Sequence, residues 1–414
     1  MISKKAAAWG AVVIILITAF FSSFLTFQVS KYIDIQSGNR YVVSKEVYQL
    51  LEKYQLLEEV RQTIEKDYIE EPDKDKLLVG AIKGMAAALE DPYTSYFTAE
   101  EYKEFIVQTQ GSYAGIGLMV TVDEEDNLIT VVRAFKDSPA AKAGIQQGDK
   151  IIRVEDMDVS GSELEKAVSM MKGEPGTKVN ITILRDGKEL NFTLERAIIE
   201  IPDLEYRMLD SDIGYIWLYQ FDENSPKNFK NAIEDLKGQG MKGLILDLRG
   251  NPGGLLQACT EIADMLLPEG LIVYSENRQG IGEKYYSDKE YLGIPLVVLV
   301  NEYSASASEV LSGAIQDYGV GTIIGKTTFG KGLVQGLRGP FKDGSALKIT
   351  IAKYFTPKGR DIHQKGVVPD IEVDLSEEAK NYLRENSGGE LPEELDNQLQ
   401  KGIEELKKML SQHE

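Results

Sequence analysis

The sequence predicts an α/β protein, with a layered core of alternating strands and helices, a small β-rich module set in ahead of it, and helices leading in. Three observations carry that reading. Between about Ile201 and Asp374, apolar strand patterns at Ile213–Phe221, Gly243–Leu248 and Pro295–Val300 alternate with helical ones at Ser225–Gly238, Leu255–Leu267 and Ser306–Tyr318. From Gly111 to about Arg196 the texture shifts to short β-type runs bounded by Gly, Asp and Pro, among them Leu128–Val132, Lys150–Val154 and Val179–Leu184, with helical spacing at Leu164–Met171. Residues 44–110 read as helical, with apolar positions at helical spacing over Val47–Leu57 and Leu77–Met85 and a break at Asp91-Pro92.

From the N-terminus, residues 6–29 are nearly all apolar or small and follow Lys4 and Lys5. Roughly 20 apolar residues suffice to cross a bilayer as a helix. Lysines on the N-terminal flank keep residues 1–5 cytoplasmic and export the rest. No clean Ala-x-Ala site follows the apolar run, so an uncleaved signal anchor is expected, the alternative being secretion after cleavage. The module covers 111–198 and the core 199–374, with the helical region 44–110 belonging to the core. Residues 375–414 are polar and acidic, with a surface or interface helix over Leu395–Leu410. The helices before 110 and after 375 point to a homodimer.

With 414 residues the chain is long enough for two or three domains, and 43% hydrophobic with 27% charged residues describes a globular protein. A formal charge of −20 excludes a general nucleic-acid binder, which needs surplus Lys and Arg. Cys259 is the only cysteine, so no intrachain disulfide forms, and its apolar surroundings make it a buried helix residue. Two histidines, His363 and His413, and one cysteine cannot supply the usual zinc sets, so no metal or cofactor is expected. If a serine is the nucleophile of a hydrolase here, lysine is the natural base.

Ser304, Ser306 and Ser308 follow an apolar strand where it turns into a helix. Ser306 with Glu309 fits a capping box, which satisfies free N–H groups at a helix start. The same place stabilises negative charge, so a serine there can attack a carbonyl while the Ala307 N–H helps hold the oxyanion. Lys331 stands between Gly330 and Gly332; a solvated turn lysine is the plain reading, and a base requires burial or a nearby positive charge. Gln335 lies four residues on, roughly 13 Å along an extended strand, a gap that a bend at Gly332 could close. Asp247–Gly254 ends a strand with a glycine-rich turn that can expose backbone N–H groups to a reacting oxygen. It lacks the ending of a phosphate-binding P-loop. Gly115-Ile116-Gly117-Leu118 before an apolar strand can grip a chain-terminal carboxylate through its N–H groups, and Ser138–Gly144 with Gly148–Val154 strengthens that reading.

In this order, the module signature of 111–198, Asp247–Gly254, Ser304–Glu309, Thr328–Gln335 and Tyr354–Arg360 resemble the carboxy-terminal processing, or tail-specific, proteases over about residues 45–374. The resemblance implies an α/β protease core of crotonase-like (ClpP/crotonase) type with an inserted PDZ domain, an N-terminal helical region and an N-terminal transmembrane helix. It implies a Ser–Lys–Gln set of Ser306 as nucleophile, Lys331 as base and Gln335 orienting the lysine. Ala307 and either Gly253 or Gly254 would form the oxyanion hole. Gly115, Ile116, Gly117 and Leu118 would bind the C-termini of protein or peptide substrates. The setting implied is a bacterial cell membrane, with the catalytic domain outside the cytoplasm. Trp217 and Tyr219 depart from the smaller residues expected in a cleft-lining strand. A membrane-anchored PDZ scaffold with an inactive protease-like domain is the alternative; an acyl-CoA enzyme of the crotonase type is disfavoured by the anchor and the peptide-binding module.

Overall fold

A computed structural model describes residues 9, 15–26, 44–123, 125–386 and 391–413. The chain forms two units, Met1–Ile82 and Lys83–Glu414. In the first, residues 15–26 are helical and exposed. Among the described residues no helix is long and apolar enough to cross a membrane. Apart from residue 9, the rest of the expected anchor lies outside the described residues, as do residues 1–5.

The helix Lys45–Asp67 starts where the Ser44 side chain accepts from the Val47 N–H, and none of its residues is buried. Asp73 caps the next helix, Lys74–Ala87, by accepting from the Asp75 and Lys76 N–H groups at 3.0 and 3.1 Å. The two helices leave an apolar trough of about 860 Å³ lined by Leu51, Leu57, Val60, Ile64, Leu77 and Leu78.

The second unit is organised by a six-stranded sheet, in the order Leu204–Asp210, Ile213–Leu218, Gly243–Asp247, Leu296–Val300, Thr322–Gly325 and Ile371–Glu372. Its first pair is antiparallel and the others parallel. Gly243–Asp247 and Leu296–Val300 are buried at every position, as central parallel strands covered on both faces must be. Alternate residues serve opposite faces. Leu244, Leu246, Leu296, Val298 and Val300 meet the helices Ser225–Gly238, Leu256–Leu266 and Ala307–Tyr318. Ile245, Val297 and Leu299 meet Leu399 and Leu406 of the helix Asn397–His413. That C-terminal helix is therefore part of the core's second face, where the sequence suggested a surface or interface helix.

A second sheet joins Ser95–Phe97, Ala346–Phe355, Gly270–Glu276 and Lys284–Ser287, with Leu333–Arg338 also paired to Ala346–Phe355. The short strand Ser95–Phe97 corrects the all-helical reading of 44–110. It brings the segment after Asp91 against Ala346–Phe355, the strand that also pairs with Leu333–Arg338 after Lys331. The β-rich module has its own antiparallel sheet, in the order Leu118–Val122, Ile129–Ala134, Lys150–Val154, Lys178–Arg185 and Lys188–Glu195, around a separate core that includes Ile129, Ile151 and Ile183. It is inserted through a two-stranded ribbon, Ser112–Gly115 paired with Ala197–Glu200.

Candidate active site

The strand Leu296–Val300 delivers the serine turn to the start of the helix Ala307–Tyr318. Two of its three serines are consumed by structure. The Ser304 hydroxyl donates to the Leu248 carbonyl at 2.8 Å and accepts from the Asn301 N–H at 2.9 Å. The Ser308 hydroxyl donates to the Asn251 carbonyl at 3.0 Å, and both serines are fully buried. Ser306 between them has φ 55° and ψ −110°, a conformation that costs a non-glycine residue about 1–3 kcal/mol and collects at functional sites.

What holds Ser306 there is Glu309. Its Oε2 accepts from the Ser306 N–H at 2.9 Å, the return arm of the predicted capping box. The same oxygen accepts from the Lys331 N–H at 2.7 Å. Oε1 accepts from the Gly330 N–H at 2.6 Å and the Thr328 hydroxyl at 2.5 Å. A fully buried carboxylate thus receives four donors and ties the serine turn to the lysine loop. Only the local half of this, the capping box, is legible in the sequence; nothing there links Glu309 to residues about twenty positions on.

The Lys331 side chain lies over the Tyr93 ring, with Nζ 4.8 Å from the centroid. Burial pushes its amine pKa down, and the nearby Lys348 charge adds to that; Asp91 and Glu309 pull the other way. The Gln335 amide donates weakly to the Leu333 carbonyl at 3.4 Å and the Thr350 hydroxyl at 3.5 Å. The backbone of Lys331 is therefore joined to Ser306, but among the described residues neither the Lys331 amine nor the Gln335 amide bonds to the Ser306 hydroxyl or to the other. A register shift between Val334 and Gln335 interrupts the strand's pairing with Ala346–Phe355.

Across from the serine turn, Gly253 has φ 101°, and a Cβ on it would lie 2.8 Å from the Ser306 Cβ and 2.9 Å from the Ala307 N. Only glycine allows that approach. The Gly253 N–H is already donated to Asn251 Oδ1 at 2.8 Å. Among the described residues, the Ala307 and Gly254 N–H groups have no acceptor. Asn251 builds this junction, since its carbonyl accepts from both the Ala305 N–H and the Ser308 hydroxyl at 3.0 Å.

Below the glycine turn, Arg249 is half-buried between carboxylates, reaching Asp247 at 2.6 Å and Asp396 at 2.7 Å. It pins the start of the C-terminal helix to the turn. Trp217 packs against the apolar cluster under that helix, and its indole donates to the Arg249 carbonyl at 3.4 Å. Cys259 is fully buried, and burial pushes its thiol well above the ordinary value, as befits a structural residue. Among the described residues no cluster of three His, Cys, Asp or Glu side chains could hold a metal ion.

In the module, Leu118–Val122 is an edge strand, and a groove of about 400 Å³ runs along it, lined by Ile116, Leu118, Val120, Phe135, Val168 and Met171 among others. Gly117, with φ 81°, packs against Ser138, where a Cβ would come within 2.3 Å. The four residues from Gly115 to Leu118 thus border an apolar groove beside an open strand edge.

Comparison with known proteins gives matches along most of the chain. Residues 212–373 match peptidase family S41, residues 115–195 a PDZ domain, and residues 18–101 the activating protease CtpB N-terminal domain. A carboxyl-terminal-processing protease of Synechocystis sp. is 42% identical over 301 residues, covering 71% of this chain and 70% of that protein. The carboxy-terminal processing protease CtpA of Bacillus subtilis is 37% identical over 371 residues, covering 89% and 78%. Among solved structures, a photosystem II D1 C-terminal processing protease shares 32% identity over 80% of this chain and 94% of that one, with a TM-score of 0.46.

Proposed function

The chain belongs to peptidase family S41, the carboxy-terminal processing proteases, and from that membership we propose how this serine peptidase with a PDZ domain works. Ser306 is the nucleophile, Lys331 the general base and Gln335 the residue that orients it. The observation that carries this reading is the single Glu309 oxygen accepting from the N–H groups of both Ser306 and Lys331. With the two backbones tied, the Lys331 amine reaches Ser306 by leaving the Tyr93 ring, and Gln335 follows by leaving Thr350. Neutral Lys331 takes the Ser306 proton, the hydroxyl attacks the peptide carbonyl, and the departing amine takes that proton back. Water then hydrolyses the acyl-enzyme. The developing oxyanion lies between the Ala307 and Gly254 N–H groups, the two left without acceptors among the described residues.

The substrate's C-terminus docks as an added strand on the edge Leu118–Val122, with its carboxylate at Gly115–Leu118 and its last side chain in the apolar groove. Residues 6–29 anchor the chain in a bacterial cell membrane, with the peptidase on the extracytoplasmic side. The exposed apolar face of Lys45–Asp67 pairs with a second copy. The parallel strands with helices between them support a crotonase-type core.

Incubation with an unstructured protein bearing an apolar C-terminus tests this reading. Wild type cleaves it; Ser306→Ala abolishes cleavage and retains peptide binding. Binding without cleavage by wild type returns the scaffold alternative, and cleavage lost in Ser304→Ala but kept in Ser306→Ala overturns the choice of nucleophile. Resistance to alkaline extraction tests the anchor, and light scattering the dimer.

A further inference from the structure

Lys348 is a half-buried cation without an anion. It lies on the strand Ala346–Phe355, its ammonium 5.5 Å from the Phe97 ring centroid and 5.6 Å from that of Phe105. The two rings are stacked, with centroids 5.1 Å apart. Among the described residues no carboxylate comes within ion-pair distance of this ammonium. Burial pushes its pKa down, and Asp91 pulls it partly back. Aromatic faces offset some of what burial costs an ammonium, and a carboxylate in contact would offset more.

Lys348 and both rings line a cavity of about 650 Å³. Two of its other charged residues, Lys83 and Glu101, neutralise each other at 2.6 Å. At one end Glu104, which is exposed, borders both this cavity and the groove along Leu118–Val122. At the other end Thr94 lines it, and its hydroxyl accepts from the Thr350 N–H at 3.1 Å. The Thr350 hydroxyl in turn receives the Gln335 amide, and Tyr93, beside Thr94, carries the Lys331 amine. The cavity therefore runs from the docking groove to the residues around the proposed base.

A substrate held by its C-terminus in that groove, with a carbonyl at Ser306, must span these two ends with the residues between. We infer that the cavity receives this intervening segment, and that Lys348 with the Phe97 and Phe105 rings forms a subsite for an acidic side chain in it. The rings pack the methylene stem while the ammonium meets the carboxylate. A glutamine there gains only a neutral partner, and a lysine meets like charge. In a chain of formal charge −20 the cavity thus offers an acidic segment a local attraction that the surface at large does not. This inference rests on the peptidase reading given above.

The test gives the full chain, in detergent, unstructured internally quenched peptides that share one apolar C-terminal residue. Glu, Gln or Lys is stepped through the positions between the cleaved bond and that terminus. At neutral pH and low salt, kcat/KM for Glu is expected to exceed that for Gln at one position by about 2- to 5-fold, the range of a partly screened ion pair, with Lys below Gln. Comparing peptides within one chain cancels the influence of residue 348 on the Lys331 charge. Lys348→Gln is expected to remove the difference, and Lys348→Glu to turn it in favour of the Lys peptide. High salt removes it in wild type as well, a readout that needs no substitution. The absence of such a position in wild type, or a preference that survives Lys348→Gln or high salt, overturns the inference, while cleavage of the Gln peptides keeps the peptidase reading. Failure to cleave any of the peptides overturns both.

Discussion

The two loops that meet at the active site differ in how fully they are fixed. Around Ser306 every neighbour is committed: Ser304 and Ser308 are buried and bonded, Asn251 braces the turn, and Gly253 packs against the serine itself. Around Lys331 only the backbone is held, by Glu309, while the amine rests on Tyr93 and Gln335 makes two long hydrogen bonds elsewhere. In the proposed mechanism the nucleophile is built in place and the base is tethered but not aimed. Such a division puts control of activity on the base, because moving two side chains is a far smaller change than rebuilding a strained turn.

Glu309 joins the two loops, so it is where the difference breaks most completely. In Glu309→Gln one carboxylate oxygen becomes an NH₂ group, and two of four buried donors then face a donor, at about 1–3 kcal/mol each. Serine turn and lysine loop separate, and displacement of reacting groups by about 1 Å costs on the order of 10²-fold in rate. Peptide cleavage is expected to fall by about that factor or more, with a lower melting temperature, while peptide binding to the PDZ domain is unchanged. Unchanged cleavage would show that the shared carboxylate positions nothing.

How much of this could be read beforehand follows the same division. The serine side was legible because its signals are local: an apolar run of strand length, small residues, a cap residue and a glutamate three positions on. The helices Ser225–Gly238 and Ala307–Tyr318 come out within a residue of their expected bounds for that reason. The base side depends on contacts between distant segments. Tyr93 and Asp91 reach Lys331 because the three-residue strand Ser95–Phe97 pairs far along the chain, and so short a strand carries no periodicity. The proposed choice of Gly254 over Gly253 rests on Asn251 taking the Gly253 N–H, which spacing does not encode.

Electrostatics around Lys331 sharpens the comparison next. A lysine base is active when neutral, so activity rises with pH through its pKa, and whatever disfavours the charged amine moves that rise to lower pH. Lys348 disfavours it and Asp91 favours it. Lys348→Gln is therefore expected to move the rising limb of kcat/KM to higher pH, and Asp91→Asn to lower pH, both with the alkaline plateau largely retained. Shifts in one direction for both variants, or none, would detach Lys331 from the titration and leave the base unidentified.

The smallest effect on turnover belongs to Ser304, and it separates a serine that builds the turn from the proposed nucleophile. Its hydroxyl bridges the Leu248 carbonyl and the Asn301 N–H from a fully buried position. Ser304→Ala leaves both partners without their bond, and a buried group so orphaned costs about 1–3 kcal/mol. Reduced resistance to chemical denaturation is expected, with cleavage at moderate temperature close to wild type. The serine turn tolerates this because Ala305, Ser308 and Glu309 still anchor the segment on either side of Ser306. A large loss of activity without loss of stability would mean that the turn is less firmly preset than its hydrogen bonds indicate, and that the nucleophile, like the base, is brought into position only during catalysis.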